Sequence, residues 1–180
     1  MTVTTIEKGG ALAVPLADLK AYLAISRADE DAFLTDLLRS ATETAERFLG
    51  QMLIARAVDE MLFARCDWQR LGLRPVRSIT AVIGVPADGP EFPLPVEDHA
   101  IDIDANGTGW LRVMNPGSAG RIRVTYQAGM ASDADGVPDG IQHGIVRLAG
   151  DYHARREEIG GALPASLAAL WRPWRLVRLA

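Results

Sequence analysis

Four residues in the middle of the chain have the spacing of the first half of a calcium-binding loop. Asp102, Asp104, Asn106 and Gly107 place oxygen ligands at alternate positions before a glycine turn. Such a loop needs a bidentate glutamate at its twelfth position, where this chain has Val113. Asn-Gly is also the strongest two-residue signal for a β-hairpin. We therefore predict a hairpin turn, with a weak cation site as the alternative.

Three titratable side chains lie close together in sequence near the C-terminus. His143 and Asp151 are eight residues apart, which places them two helical turns from each other, and His153 points to another face. The chain has no nucleotide-binding, zinc-protease or serine-hydrolase pattern. We predict that no residue is catalytic, that none binds a metal, and that the protein uses no cofactor. A small hydrolase using Asp151 and His153 is the alternative.

The last ten residues carry the strongest indication of binding. A chain terminus is normally polar and frayed, so a terminus rich in indole and aliphatic surface has to be covered. Tryptophan and arginine are also the residues most enriched at the anchor points of interfaces. We predict that this segment docks on another protein, where the arginines pair with acidic groups. The docking residues are Trp171, Arg172, Trp174, Arg175, Leu176 and Arg178.

Two other interpretations of this segment stay open from the sequence. The tail could fold back on its own helices and leave its arginines in water. It could instead bind single-stranded nucleic acid, with the indoles stacking on bases and the guanidinium groups meeting phosphates.

Helical periodicity surrounds these residues on both sides. A first helix follows Pro15, and a long helix runs from about 30 to 49. Ser26 or Asp29 is its expected N-cap, and Gly50 is its expected C-terminal stop. A third helix begins at Pro138 and should pack on the long one. It contains Gly144 and Gly150, whose cost is expected to be offset by the close approach of another backbone.

The middle of the chain has strand-like alternation instead. Strands are predicted at 58–64, 76–85, 99–103, 110–113 and 121–126, forming one antiparallel sheet of four to six strands. Trp110 is expected in the sheet core or at its edge, with a ligand platform as the alternative; Trp68 is similarly ambiguous.

The expected architecture is α+β, a helical bundle interrupted by an antiparallel β subdomain. The bundle has two N-terminal helices, one long C-terminal helix and a short one. The expected domains are a flexible arm (1–13), a helical core (14–55 and 137–170), a β insertion (56–130) and a docking tail (171–180).

Composition narrows the functional classes. Of 180 residues, 48% are hydrophobic and 23% charged, which is ordinary for a globular protein. The net charge of −4 argues against broad binding to a phosphate backbone. Cys66 is the only cysteine, so no intrachain disulfide forms, which suits a reducing cytoplasm. No apolar run approaches the length of a membrane span, and no signal-peptide core is seen.

The order and spacing of several segments resemble one known family. These segments are LADLKAYLAI, DEDAFLTDLLRSATETAERFLGQML, PVRSITAV, RVTYQAGM, VPDGIQHGIVRLAGDYHARRE and LPASLAALWRPWRLVRL. Together they resemble the head–tail connector proteins of long-tailed phages, also called adaptor or head-completion proteins, and their relatives in phage-like gene transfer agents. The resemblance covers about residues 14–179. The long β insertion departs from the smallest family members, which are almost entirely helical.

The resemblance implies a structural role without catalysis. Such proteins form a ring, usually of twelve copies, beneath the portal, and they extend the channel through which double-stranded DNA passes without sequence-specific binding. The C-terminal segment would grip the portal, and the opposite face would receive the next tail-side protein. No membrane is involved. The protein would assemble in the bacterial cytoplasm and end in the neck of the particle.

Neighbouring copies in such a ring meet through two different surfaces. The long second helix and the third helix are the natural walls for these contacts. The candidate ring-interface residues are Arg39, Glu43, Arg47, Arg155 and Arg156.

Overall fold

The fold is α+β, as predicted. The computed structural model describes residues 2–5, 10–155 and 163–176. The chain divides into two compact units, which we call the β unit (residues 1–10 and 55–130) and the helical unit (residues 11–54 and 131–180).

Four α-helices form the described part of the helical unit. They are α1 (Leu16–Leu23), α2 (Asp31–Leu49), α3 (Asp139–Ala154) and α4 (Ala165–Trp171), and a 3₁₀ turn at Arg172–Trp174 follows α4 directly. As predicted, α3 packs on α2, and the Thr44 hydroxyl lies 3.2 Å from the Tyr152 hydroxyl between them.

The long helix α2 is amphipathic, and this places its apolar side in the core. Its buried residues recur every three or four positions: Leu34, Leu37, Leu38, Ala41, Ala45 and Leu49. Gly50 ends the helix at φ 72°, and its N–H donates to the Glu46 carbonyl, as predicted for a glycine stop. The predicted N-cap is wrong, because Glu30 occupies that position without a side-chain cap. Asp29 instead pairs with Arg27 at 3.1 Å.

Eight strands form the described part of the β unit, and every pairing is antiparallel. The strands are β1 (Thr2–Thr5), β2 (Arg56–Phe63), β3 (Gln69–Arg70), β4 (Val76–Pro86), β5 (Phe92–Pro93), β6 (His99–Ile103), β7 (Gly109–Val113) and β8 (Ala119–Ala128).

These strands build two sheets rather than the single predicted one. The larger has the order β1-β2-β8-β4-β5, and the smaller has the order β3-β7-β6. The prediction failed because β6 and β7 pair across their own hairpin and with β3, whereas both edges of β8 are taken by β2 and β4.

The expected flexible arm is wrong where the structure describes it. Residues 2–5 are a strand paired with β2, from Thr2 opposite Met61 to Thr5 opposite Val58. The reason is that β2 offers its second edge, which β8 leaves unpaired. Ala13, at the other end of the predicted arm, is only 1% exposed.

Candidate functional site

Trp171 is a core residue of the helical unit. Its side chain is 0% exposed, and its Nε1–H donates to the Ile141 carbonyl at 3.3 Å. Its ring lies 6.1 Å from that of Phe48, tilted by 46°. A Cβ at Gly144 would lie 2.3 Å from Trp171 Nε1, so glycine at 144 makes room for the indole. The last turn of α4 is thereby fixed to α3.

The segment after Trp171 also folds back on its own unit. A Cβ at Gly140 would lie 2.7 Å from the Trp174 ring, so this ring rests on the first turn of α3. The Gln51 amide donates to the Trp174 carbonyl at 2.7 Å. The Leu176 N–H donates to the Leu49 carbonyl at 3.0 Å, which ties the segment to the end of α2. These contacts hold residues 171–176 in one conformation.

The tail therefore has an inner and an outer side. Arg172 and Arg175 are exposed, although the Arg175 guanidinium also lies over the Phe48 ring at 5.1 Å. Of the predicted docking residues, Trp171 cannot present its ring to a partner, which corrects its assignment as a contact. Arg178 lies outside the described residues.

The glycines of α3 have a different role from the one predicted. Gly144 faces the Trp171 indole, and Gly150 faces the Tyr22 ring, where a Cβ would lie 2.7 Å from Cε1. Aromatic side chains, not a second backbone, occupy the space that the missing Cβ atoms leave. The sequence reasoning missed Gly140, which lies one helical turn before Gly144 and faces the Trp174 ring, as Gly144 faces that of Trp171.

The ring-interface candidates lie on the surfaces of two helices. Arg39, Glu43 and Arg47 are spaced four residues apart along α2, and Glu43 and Arg47 are exposed. Arg155 is exposed directly after α3. Arg156 lies outside the described residues.

The acidic motif at 102–107 is a hairpin turn. Asp104 Oδ1 accepts the N–H groups of Asn106 and Thr108 at 2.8 and 2.9 Å, and Oδ2 accepts the Trp110 indole N–H at 3.2 Å. The hydrogen bond from the Thr108 N–H is the main reason that the pKa of Asp104 lies below its usual value. Gly107 has φ 71°, as such a turn requires. Both Asp104 oxygens are thus used locally.

The His and Asp side chains of α3 do not converge. His153 Nε2 lies 3.8 Å from Glu30 Oε2, and its ring packs near Phe33. His143 lies in a separate cleft between α1 and α3. Within residues 2–5, 10–155 and 163–176, no three His, Cys, Asp or Glu side chains are grouped so that they could hold a metal ion.

A buried carboxyl in the β unit was not found from the sequence. Glu60 is 0% exposed on β2, and its Oε2 accepts the Tyr126 hydroxyl and the Gly72 N–H, each at 2.8 Å. Its Oε1 is buried without a hydrogen-bond partner. Burial raises the pKa of Glu60, against the opposing effect of these two donors. The strand alternation places residue 60 inward, but nothing in the sequence marks it as a polar core residue.

A second tryptophan and arginine surface lies on the three-stranded sheet. The β3–β7–β6 register puts Arg70, Trp110 and Asp102 in one row and places Arg112 opposite Ala100. Trp68 directly precedes β3 and contacts Arg112. We call these six residues the sheet face. The Arg112 guanidinium lies 4.9 Å from the Trp68 ring centre, and Trp68 is 44% exposed. Sequence reasoning singled out Trp110 and Trp68 separately but missed this pairing, because β3 has only two residues.

Comparisons with known proteins identify the architecture. Residues 14–82 match the family model of the phage gp6-like head–tail connector protein. The resemblance seen in the sequence and the structural connector role that it predicted are confirmed.

Solved structures extend the likeness of this chain beyond residues 14–82. One is the neck of an empty gene transfer agent (GTA) particle computed with C6 symmetry, at 26% identity and a TM-score of 0.80. Another is the neck of a native GTA particle computed with C12 symmetry, at 27% identity and a TM-score of 0.79. Both alignments cover 100% of this chain and 98% of the other. The β unit is therefore shared with these relatives. No curated protein matches the chain.

None of the described helices is both long enough and apolar enough to cross a membrane.

Proposed function

We propose that the connector forms a ring, of twelve copies, beneath the portal of a phage or gene transfer agent particle and extends the DNA channel toward the tail. The observation that carries this proposal is the full-length similarity to neck proteins of gene transfer agent particles, with one neck computed with C12 and another with C6 symmetry. In this proposal the protein assembles in the cytoplasm, becomes part of the particle neck and has no enzymatic activity.

The outer side of the tail is the proposed portal-docking surface. Arg172 and Arg175 are exposed, while Trp171 and the backbone bonds of Trp174 and Leu176 hold the segment against the helical unit. A preformed segment loses less conformational entropy on binding than a loose one. The guanidinium groups are suited to carboxylates of the portal.

Neighbouring copies in the ring are proposed to meet along α2 and the end of α3. Arg39, Glu43 and Arg47 form a charged row on α2. Arg155 and Arg156 are proposed to belong to the surface of the neighbouring copy that meets this row. Because such contacts join two different surfaces, they repeat around a rotation axis and close a ring. The tail-side protein would bind the face of the ring opposite the portal.

The acidic character of the chain suits a conduit for double-stranded DNA. A wall that repels phosphate does not retain the duplex, whereas a basic wall would bind it and slow it. Acids within residues 29–46 are proposed to contribute to this wall. Unchanged DNA delivery after reversal of several of these charges would contradict that assignment.

The docking surface can be tested with a charge reversal. We expect Arg172→Glu combined with Arg175→Glu to weaken binding to the purified portal by at least about tenfold, because attraction becomes repulsion at two contacts. Surface plasmon resonance would measure the affinity, and circular dichroism would verify folding.

The matched control is Arg65→Glu with Arg121→Glu in the β unit. It makes the same change in net charge, and one of its arginines also lies over an aromatic ring, since Arg65 is 5.0 Å from the centre of Phe63. If both double variants bound the portal as tightly as the unmodified chain, the tail would not be part of the portal interface.

A further inference from the structure

The sheet face has the composition of an interface anchor, and three of its six residues are exposed, namely Trp68, Arg70 and Asp102. Trp68 is 44% exposed, and Arg70 is exposed beside it. Alternating indole and guanidinium groups give flat apolar area together with cationic hydrogen-bond donors. In the described residues, neither Arg70 nor Arg112 makes an ion pair with a carboxylate.

Arg112 is held in place before any partner arrives. Its guanidinium is stacked over Trp68 at 4.9 Å, and its Nε is buried without a hydrogen-bond partner in the part of the chain that the structure describes. A stacked guanidinium has already lost much of its rotamer freedom, so a carboxylate binds it at a lower entropic cost. The face is therefore prepared for an anionic protein surface.

The helical unit of the same chain offers a complementary surface. A cleft of about 340 Å³ lies between α1 and α3, with Asp18 and Asp139 at its walls and Val14 and Val146 as apolar lining. Both aspartates are exposed, and neither side chain has a hydrogen bond or an ion pair among the described residues. The cleft therefore combines two carboxylates that lack a side-chain partner with an apolar wall, which suits an arginine with its aliphatic stem.

We propose that the sheet face of one copy docks at the α1–α3 cleft of a second copy. Arg70 and Arg112 meet Asp18 and Asp139, and Trp68 covers the apolar edge of the contact. The two surfaces differ, so the contact is head-to-tail and propagates until rotation closes a ring. This inference rests on the ring assembly proposed above and adds a second contact between neighbouring copies to the one proposed along α2 and the end of α3.

Charge exchange between copies gives a sharp test. The first variant carries Arg70→Glu and Arg112→Glu, and the second carries Asp18→Arg and Asp139→Arg. In a sample of either variant alone, the sheet face and the cleft carry charges of the same sign, so copies repel each other at this contact. In an equimolar mixture, contacts that join the acidic sheet face of one variant to the basic cleft of the other pair opposite charges, so linked oligomers form again.

The readout is cross-linking through the only cysteine. Cys66 is exposed two residues before Trp68, and Ala17→Cys adds an exposed thiol beside Asp18. We expect a short bismaleimide to link these positions between copies of the full chain and to give linked oligomers. Each charge variant alone should lose at least about tenfold in linked product, and the mixture should recover linked oligomers.

Two controls separate the loss of this contact from a general effect of net charge and from misfolding. Arg77→Glu with Arg121→Glu changes the net charge equally on the larger sheet, where both arginines are exposed, and should leave the linked product intact. Circular dichroism should show that each charge variant is folded, and the recovery in the mixture excludes misfolding independently.

The inference is overturned by any of three results. The Ala17→Cys chain gives no linked product, either charge variant alone gives as much linked product as the chain with its original charges, or the mixture of the two variants stays unlinked. Failure of the ring proposal looks different. Cross-linking that depends on these charges, without any ring beneath the portal, would contradict the ring and leave the contact standing.

Discussion

Single glycines of α3 determine whether the rings of the C-terminal tryptophans can pack against this helix. A Cβ at Gly144 would lie 2.3 Å from Trp171 Nε1 and 2.6 Å from its Cε2. The indole also packs near Phe48 and cannot withdraw without losing its hydrogen bond to Ile141. Helix propensity alone would favour alanine at this position, so tertiary contact determines the choice.

We therefore expect Gly144→Ala to destabilise the helical unit by about 1–3 kcal/mol, because overpacking displaces Trp171. Urea unfolding followed by tryptophan fluorescence would measure this loss. Gly120→Ala is the control, since a Cβ there meets nothing within 4 Å. If both substitutions left the free energy of unfolding unchanged, the close packing of Trp171 against Gly144 would be refuted.

Glu60 makes the stability of the β unit depend on pH. Its pKa is raised in the folded protein by burial, so the folded state holds its proton more tightly than the unfolded state. This contribution is fully present below the unfolded pKa of about 4.5 and is lost as pH rises through the folded pKa. The phenol of Tyr126, whose own pKa is raised mainly by burial, remains protonated throughout.

We expect the unmodified chain to lose more thermal stability than Glu60→Gln between pH 4.5 and neutral pH, because glutamine places no charge in the core. Calorimetric melting of both proteins over this range would measure the difference. Parallel pH profiles would show that Glu60 does not titrate differently on folding.

At the scale of elements, the C-terminal tail has a structural part and an exposed part, and Trp171 belongs to the structural part. Because Trp171 belongs to the core, removing residues 171–180 would not leave the fold largely intact, contrary to what a wholly separate docking tail implies. A chain ending at Leu176 keeps the buried indole and the hydrogen bond from Leu176 to Leu49. The inner part of the tail is thus structural, and only its outer side is available for docking.

Two truncations separate these roles. We expect a chain ending at Leu170 to lose roughly 3–5 kcal/mol of stability in the helical unit, the usual cost of deleting a buried tryptophan side chain. A chain ending at Leu176 should unfold at nearly the same denaturant concentration as the full chain. Equal stability of the two truncated chains would contradict the core assignment of Trp171.

Local signals predicted most elements because their causes are local. The apolar spacing of α2 and the Gly50 stop predicted this helix to within a residue at its start, and the Asn106-Gly107 turn predicted the β6–β7 hairpin. Pro138 likewise marks the start of α3. In each case the decisive residues lie within one or two turns of the feature that they specify.

Non-local pairing was beyond the sequence reasoning. Nothing near Thr2–Thr5 reveals that β2 has an unfilled edge, and the division into two sheets depends on which strands β8 accepts. The same holds for the site. The Trp171 indole and Gly144 are far apart in the sequence, and their fit becomes visible only when α3 and α4 are packed together.

At the scale of the whole molecule, the proposed function depends on charged surfaces. The titratable groups of α3 do not converge, while exposed arginines lie on the tail and on the sheet face. In the proposed function, these arginines contact copies and partners, while the net charge of −4 keeps the passing DNA from being retained.

The most direct measurement is electron microscopy of the protein mixed with its portal. We expect a ring of twelve copies stacked on the portal, with Arg172 and Arg175 at the contact and an open axial channel. Free monomers beside bare portals, or a ring in which the C-terminal segment faces solvent with no second polypeptide against it, would contradict the account.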